Sequence, residues 1–340
     1  MMKLRISVIV SAALALLVMA SSCEEEETTR EYLSGELNIK HEMYPYVKPG
    51  DRFSFTVSGV TVPDGTAVGY YFTAPVTGVR DTLKNVTDTY YMVVPDTTGT
   101  FSVSCTAYPV ESSDKYYVTS ASMSFVIVKD TPVGGSITGV TMHPDDKVEK
   151  LYGREYYVGQ TGGREWIRQN LSYIRYDSAG NPEFGHPYAS SPAMQNIFGA
   201  YYTWDEAVKA CPAGWHLPSE AEWIAMLKDN GADPDLERMG TSSTGAGNLM
   251  VKTYFNGEVM WDYYREVSIM DTSISALPVG YAKCSGDSYE FHGYADYAAF
   301  WTSDEYEGMG VFRYIYKQND CVYAGTADKQ GFAASVRCVR

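Results

Sequence analysis

Tyr201-Tyr-Thr-Trp-Asp-Glu-Ala-Val-Lys-Ala-Cys-Pro-Ala-Gly-Trp-His-Leu-Pro-Ser-Glu-Ala-Glu-Trp-Ile-Ala-Met-Leu227 contains two helix starts. Thr203 with Glu206 has the spacing of a capping box, and Ser219 with Glu222 repeats it. In each, the hydroxyl accepts from the backbone N–H three residues on, while the glutamate reaches back. Trp204 and Val208 fall on one face at i,i+4 spacing, as do Ala207 and Cys211. Pro212 and Gly214 stop the first helix. Trp223 and Leu227 give the second its inner stripe, which Asn230-Gly231 ends with a left-handed cap. Trp215-His216-Leu217-Pro218 is a short apolar connector. The expectation is two short, tryptophan-rich helices with Cys211 on the buried face.

Around this stretch lies a chain of 340 residues, long enough for two domains with cores of their own. Hydrophobic residues make up 45% of it, so it is not a disordered polymer. Its net charge is −15. An acidic balance argues against nucleic acid, whose phosphates need cations, and against loose docking on anionic lipid. The 29 tyrosines fit β propensity for the most part, and a few are candidates to stack on sugars.

The beginning of the chain reads as a targeting segment. Lys3 and Arg5 precede an apolar run from Ile6 to Ala20, so 1–22 is expected to be a signal peptide. Ala20-Ser21-Ser22-Cys23 resembles a bacterial lipobox, which makes Cys23 the candidate lipidation site and the membrane anchor. Glu24-Glu25-Glu26-Glu27 reads as a solvated tether and resembles the acidic export signal of Bacteroidota surface lipoproteins. Residues 23–45 are expected to be this tether.

From 46 to 129 the pattern alternates with period two. Phe53, Phe55 and Val57 form one run, Phe101, Val103, Cys105 and Ala107 another, and Met123, Phe125 and Ile127 a third. Turn signals at Pro49-Gly50-Asp51, Pro63-Asp64-Gly65 and Thr98-Gly99 separate the runs. Several short strands over this length predict an immunoglobulin-like β-sandwich, similar to PKD-like spacer modules, with Cys105 buried as a free thiol. Residues 130–139 read as a linker, and 140–340 as a second, α+β domain. In it, Leu151–Val158 reads as a strand or hairpin arm and Trp166–Leu171 as a short strand. Residues 175–198 look like loop. A long irregular region follows Gly231, and Ala299–Ser303, Gly310–Lys317 and Ala333–Val339 are expected to close the domain as strands.

Five blocks carry a family resemblance. Cys211-Pro-Ala-Gly-Trp-His-Leu-Pro-Ser-Glu-Ala-Glu-Trp223 resembles the signature of the Fibrobacter succinogenes major paralogous domain, found in surface lipoproteins of Bacteroidota. Glu165-Trp-Ile-Arg-Gln-Asn-Leu171 lies before it. Ala276-Leu-Pro-Val-Gly-Tyr281, Phe300-Trp-Thr-Ser303 and Ser335-Val-Arg-Cys-Val-Arg340 follow in order. The order of elements also resembles the C-type-lectin-like fold and the related formylglycine-generating-enzyme fold. By position in that fold, Cys211 would pair with Cys338, leaving Cys284 with Cys321 to staple the long loop. Export permits disulfides, and four cysteines allow three pairings, with free thiols as the alternative.

Known catalytic patterns are missing. There is no nucleophile elbow, phosphate loop, dinucleotide fingerprint or His-Glu-x-x-His. No Cys-x-x-Cys occurs and the five histidines are scattered, so no metal or other cofactor is expected. The calcium-site triplets of C-type lectins are absent, and Asn319-Asp320 is only a fragment of one. Trp261, Tyr263, Tyr264, Tyr289, Phe291, Tyr294 and Tyr297, gathered in the long loop region, form the candidate binding surface. Trp166, Trp204, Trp215, Trp223 and Trp301 read as core. Asp81-Thr82-Leu83 and Asp177-Ser178-Ala179 resemble O-glycosylation sites of Bacteroidota and predict exposed hydroxyls. The expectation is a non-enzymatic, lipid-anchored protein on the outer membrane surface, whose lectin-like domain binds a glycan or protein partner. A structural or tip subunit of a fimbrial assembly is the alternative, and an enzyme on the formylglycine-generating scaffold is the third.

Overall fold

The structure, a computed structural model, describes residues 29–74, 80–83, 88–131, 135–262 and 267–340. The expected signal peptide, Cys23, Glu24, Glu25, Glu26, Glu27, Tyr263 and Tyr264 lie outside the described residues, as does the side chain of Thr82. The chain is mostly β, in several sheets.

The first sheets form a two-layer sandwich. Ser34–His41 (β1), Arg52–Thr61 (β2) and Thr89–Val93 (β4) make one layer, in the order β1-β2-β4. Val68–Thr73 (β3), Gly99–Pro109 (β5) and Thr119–Ile127 (β6) centre the other, with β5 in the middle. The period-two runs explain the burial. Phe55 and Val57 of β2, Val103, Cys105 and Ala107 of β5, and Phe125 and Ile127 of β6 all reach one core. Phe72 stacks on Tyr90 across the layers, with centroids 5.0 Å apart. Cys105 is a fully buried free thiol, pushed up to about 12 by that burial.

The expected tether is corrected from residue 31 onward. β1 pairs with β2, Glu31–Tyr32 pairs with Tyr116–Tyr117, and Leu33, Leu37 and Met43 are buried in the sandwich core. Exposed Glu31, Glu36, Lys40 and Glu42 dilute the apolar signal of this stretch. Burying each such aliphatic side chain contributes roughly 1.5–3 kcal/mol, enough to hold the strand despite those charges. The expected linker is likewise knitted in. Asp130 meets Lys48 and Arg154, and Ile137 is buried and pairs with Phe255.

Beyond it, Lys147–Leu151 (β7), Arg154–Thr161 (β8) and Arg164–Ile167 (β9) form a meander. Ala200–Thr203 (β10) leads into helix Trp204–Ala210 (α1), and Glu220–Asp229 is helix α2. Both capping boxes are formed. Trp204, Ala207 and Ala210 are the buried face of α1, whereas Val208 points to solvent. That corrects the expected Trp204/Val208 stripe: the helix leans on its i,i+3 row. Trp223 and Leu227 are fully buried, and Gly231 takes the left-handed φ of +76° after α2.

Two five-stranded sheets complete this part. One includes β10, Tyr281–Ser285 (β11) and Ser288–His292 (β12). The other is centred on Tyr297–Tyr306 (β13), Met309–Tyr316 (β14) and Val322–Ala327 (β15). Phe332–Ala334 (β16) lies between β10 and β11, and the rest of the closing segment makes single bridges, with Trp166 and His216 both meeting Val339. Cys211 and Cys338 are disulfide-bonded, tying the end of α1 to that closing segment. All five tryptophans read as core are buried.

Candidate functional site

A cleft of about 900 Å³ opens where the sandwich meets the second half of the chain. Its floor grows from a short hairpin, Arg175–Tyr176 with Pro182–Phe184. Asp177 builds the turn. Its carboxylate accepts from the amides of Ala179 and Asn181, both at 2.8 Å, and from the Asn181 side chain at 3.1 Å. Those donors, Asn181 first, hold the carboxyl below its ordinary range. Tyr176 is fixed by its hydroxyl, which donates to Gln195 Oε1 at 3.1 Å.

The inner wall comes from the cap of α1. Glu206 accepts from the amide of Thr203 at 2.8 Å and from the amide of Gly185 at 3.0 Å. Gly185 is required there: its φ is +68°, and a Cβ would stand 2.8 Å from the Tyr173 carbonyl oxygen and from the Tyr202 ring. The next residue, His186, lies flat against Tyr289 of β12, with ring centroids 3.6 Å apart. Burial lowers the His186 pKa, against the opposing pull of Glu206 and Asp287. Burial also raises Tyr289, whose hydroxyl meets the Cys284 thiol.

The remaining walls come from far apart in the chain. Gly286 and Asp287 form the tip of the β11–β12 hairpin, and Tyr44 projects from the sandwich. The Tyr46 amide donates to the buried Ser191 hydroxyl at 3.2 Å, and the Tyr46 ring packs on Tyr188 and Phe255, so Tyr44 is held beside the Pro187–Pro192 turn. In that turn Ala189 and Ser190 both take left-handed φ, 52° and 53°. Such backbone costs about 1–2 kcal/mol per residue without glycine, and here it shapes the cleft rim.

The cleft offers aromatic faces, amides and carboxylates. Glu206 is consumed by the helix cap, Asp177 by its turn, and Glu183 faces Arg175 at 3.3 Å. His186 is oriented by a ring rather than by a carboxylate. Among the described residues no group of His, Cys, Asp and Glu has the arrangement to hold a metal ion, and no helix is long and apolar enough to cross a membrane.

The structure disperses the aromatic set expected from sequence. Of the described members only Tyr289 lines the cleft. Trp261 is fully buried, its indole N–H donating to the Ala276 carbonyl at 2.9 Å, so it is core and not surface. Phe291 and Tyr294 pack on Tyr188, Tyr201 and Phe198 in an internal cluster. Tyr297 lies on a different face, stacked on Tyr316. The expected Cys284–Cys321 staple is not formed. Both are free thiols: Cys284 sits on β11 and meets Tyr289, while Cys321 precedes β15 in the other five-stranded sheet and donates to Ser243 O. Burial pushes Cys284 up to about 11. The sequence reading missed Tyr44, Tyr176, His186 and Asp287. Asp-Ser-Ala-Gly-Asn-Pro at 177–182 was the available signal, since an aspartate four residues before Asn-Pro builds such a turn.

A mostly β chain whose helix-end cysteine is bonded to its closing segment is the class of molecule defined here. Residues 160–340 match the Fibrobacter succinogenes major domain, just over half of the chain, and the protein belongs to that family. Neither the curated proteins nor the solved structures contain a match to this chain.

Proposed function

We propose that the protein is a non-enzymatic recognition module of the cell surface that holds a neutral glycan in the cleft lined by Tyr44, Tyr176, His186 and Tyr289. In this reading an immunoglobulin-like sandwich supports a C-type-lectin-like domain. Lipid on Cys23 tethers both to the outer membrane through the acidic run Glu24–Glu27. The observation that carries the binding reading is the cleft itself: ring faces beside hydrogen-bonding groups in an open, pre-formed hollow. Sugars present C–H faces to rings and hydroxyls to amides and carboxylates, and a pre-formed site spares ordering entropy. Arg175 is the one cation among the lining residues, and it is matched by Glu183, so an anionic ligand finds no free counter-charge.

The engagement of Asp177, Glu183 and Glu206 supports a non-catalytic, calcium-independent use, with Asp287 as the remaining carboxylate of the lining. The test is a binding screen of the purified protein on a broad panel of neutral and anionic glycans, run with calcium and with chelator. The expected result is chelator-insensitive binding to neutral members. Binding that needs calcium, or silence across the panel, would reject this reading and leave a protein partner or an assembly role.

A further inference from the structure

We propose a second binding site: the outer face of the β13–β14–β15 ladder is a docking platform for a neutral polysaccharide chain. The register builds it. Tyr297 pairs with Tyr316, Tyr314 with Tyr323, and Phe312 with Gly325. Cross-strand partners share a face, as do residues two apart in one strand. Tyr297, Phe312, Tyr314, Tyr316 and Tyr323 therefore stand on one side, together with Ala299 and Trp301, which are buried at its inner end, while Val311, Arg313, Ile315 and Val322 are buried on the other.

These rings form a continuous tract: Phe312 and Tyr314 lean on the Trp301 core, and Tyr297, Tyr316 and Tyr323 continue it as half-buried rings. Tyr297 and Tyr316 stack at 4.5 Å, Tyr314 and Tyr323 at 4.8 Å, and Phe312 lies 5.5 Å from Tyr314. Tyr281 extends the tract from β11, 6.2 Å from Tyr297. The Phe312 ring covers Gly325, where a Cβ would come within 2.9 Å of it. Along β14, Phe312 to Tyr316 covers about 14 Å at strand spacing, long enough for more than one sugar ring.

Charge selects the occupant. The rim ions are already paired, Lys317 with Asp296 and Lys329 with Glu305, both at 2.7 Å. An uncharged face on a chain of net charge −15 repels an anionic polymer at long range and offers a cationic one no free carboxylate on these pairs. The tyrosine hydroxyls, one of them accepting from Asn319 at 2.8 Å, make the face too polar for lipid and suited to sugar hydroxyls. An uncharged, hydroxyl-rich chain with stackable C–H faces complements all of these features.

The platform stands independently of the cleft. Affinity electrophoresis of the whole protein in gels containing soluble β-glucan, xylan, mannan or polygalacturonate tests it. Retardation by at least one neutral polymer and none by polygalacturonate is expected. Tyr314→Ala with Tyr316→Ala should weaken retention at least about tenfold, and Tyr316→Ala alone a few-fold, at the stacking strength of aromatic rings. Tyr91→Ala, an exposed ring on the sandwich outside both sites, should leave it unchanged. Circular dichroism checks folding, and if the double variant unfolds, Tyr316→Ala decides. No retardation by any neutral polymer, undiminished retention in the ring variants, or loss on Tyr91→Ala alone would each overturn the platform. Polymer retention with a silent oligosaccharide panel would overturn the cleft reading and leave the platform standing.

Discussion

Arg313 shows what a single position can and cannot disclose. In the sequence it lies two residues from each of Val311 and Ile315, so the face it shares with them is legible from period two. Its partner is not, because Glu220 lies 93 residues away. The guanidinium is fully buried. Nε donates to Glu220 Oε1 at 3.0 Å, Nη1 to the Gly240 carbonyl at 2.7 Å and Nη2 to the Met239 carbonyl at 3.0 Å. Burial raises the Glu220 pKa, and Arg313 opposes it. Arg313→Ala should cost about 3–5 kcal/mol in urea unfolding, because it strands a buried carboxylate. Adding Glu220→Ala should cost less than the two single losses combined, since the pair is coupled. Additive losses would show that the two groups act separately. Tyr289 and Trp261 give the same lesson for the candidate site. Both are aromatics of one irregular region, and only long-range packing sends one to the cleft and the other to the core.

Elements were legible where their signals are local. Each capping box spans four residues, and both helices start where Thr203 and Ser219 place them. The alternating runs of β2, β5 and β6 likewise declare their strands. β1 was hidden, because Glu36 and Lys40 match in number the Leu37 and Ile39 that face the core, and β16 ended early because the closing segment passes from ladder to single bridges. The Cys211–Cys338 bond, implied by family resemblance, closes a separation of 127 residues. Chain-entropy scaling for such a loop gives about 5 kcal/mol, and native disulfides contribute roughly 2–5 kcal/mol in practice. Cys211→Ala with Cys338→Ala should therefore lower stability by about 2–5 kcal/mol, measured by denaturant unfolding. Cys284→Ala with Cys321→Ala should leave the unreduced protein's response to dithiothreitol unchanged. If removing the second pair abolished that response, the stabilising bond would join Cys284 and Cys321 instead.

For the whole molecule, closure and the cleft both depend on residues that sequence order separates. At the end of the chain, Arg340 Nε donates to Glu165 at 2.6 Å and Nη1 to Glu149 at 3.0 Å, over the ring of Trp215. Lys147 first, then Arg340, lowers Glu165 from 4.5 to about 2. The unfolded chain then binds the proton more tightly, so stability rises with pH across that window. This contribution is fully present above about pH 4.5 and lost as pH falls toward 2. The difference in melting temperature between wild type and Glu165→Gln should shrink over that interval, and a constant difference would mean that Glu165 is not held by charge. The cleft draws Tyr44, the 175–192 segment and Tyr289 together across the whole fold. Its acidic turn was readable and its existence was not, because Tyr44 sits in a stretch that reads as tether. The most direct test of the central claim is calorimetric titration of neutral and anionic oligosaccharides into wild type and Tyr289→Ala. Binding of neutral sugars that Tyr289→Ala weakens by about tenfold is the result expected from loss of one stacking face. Equal binding by both proteins, or a preference for anionic sugars, would contradict it.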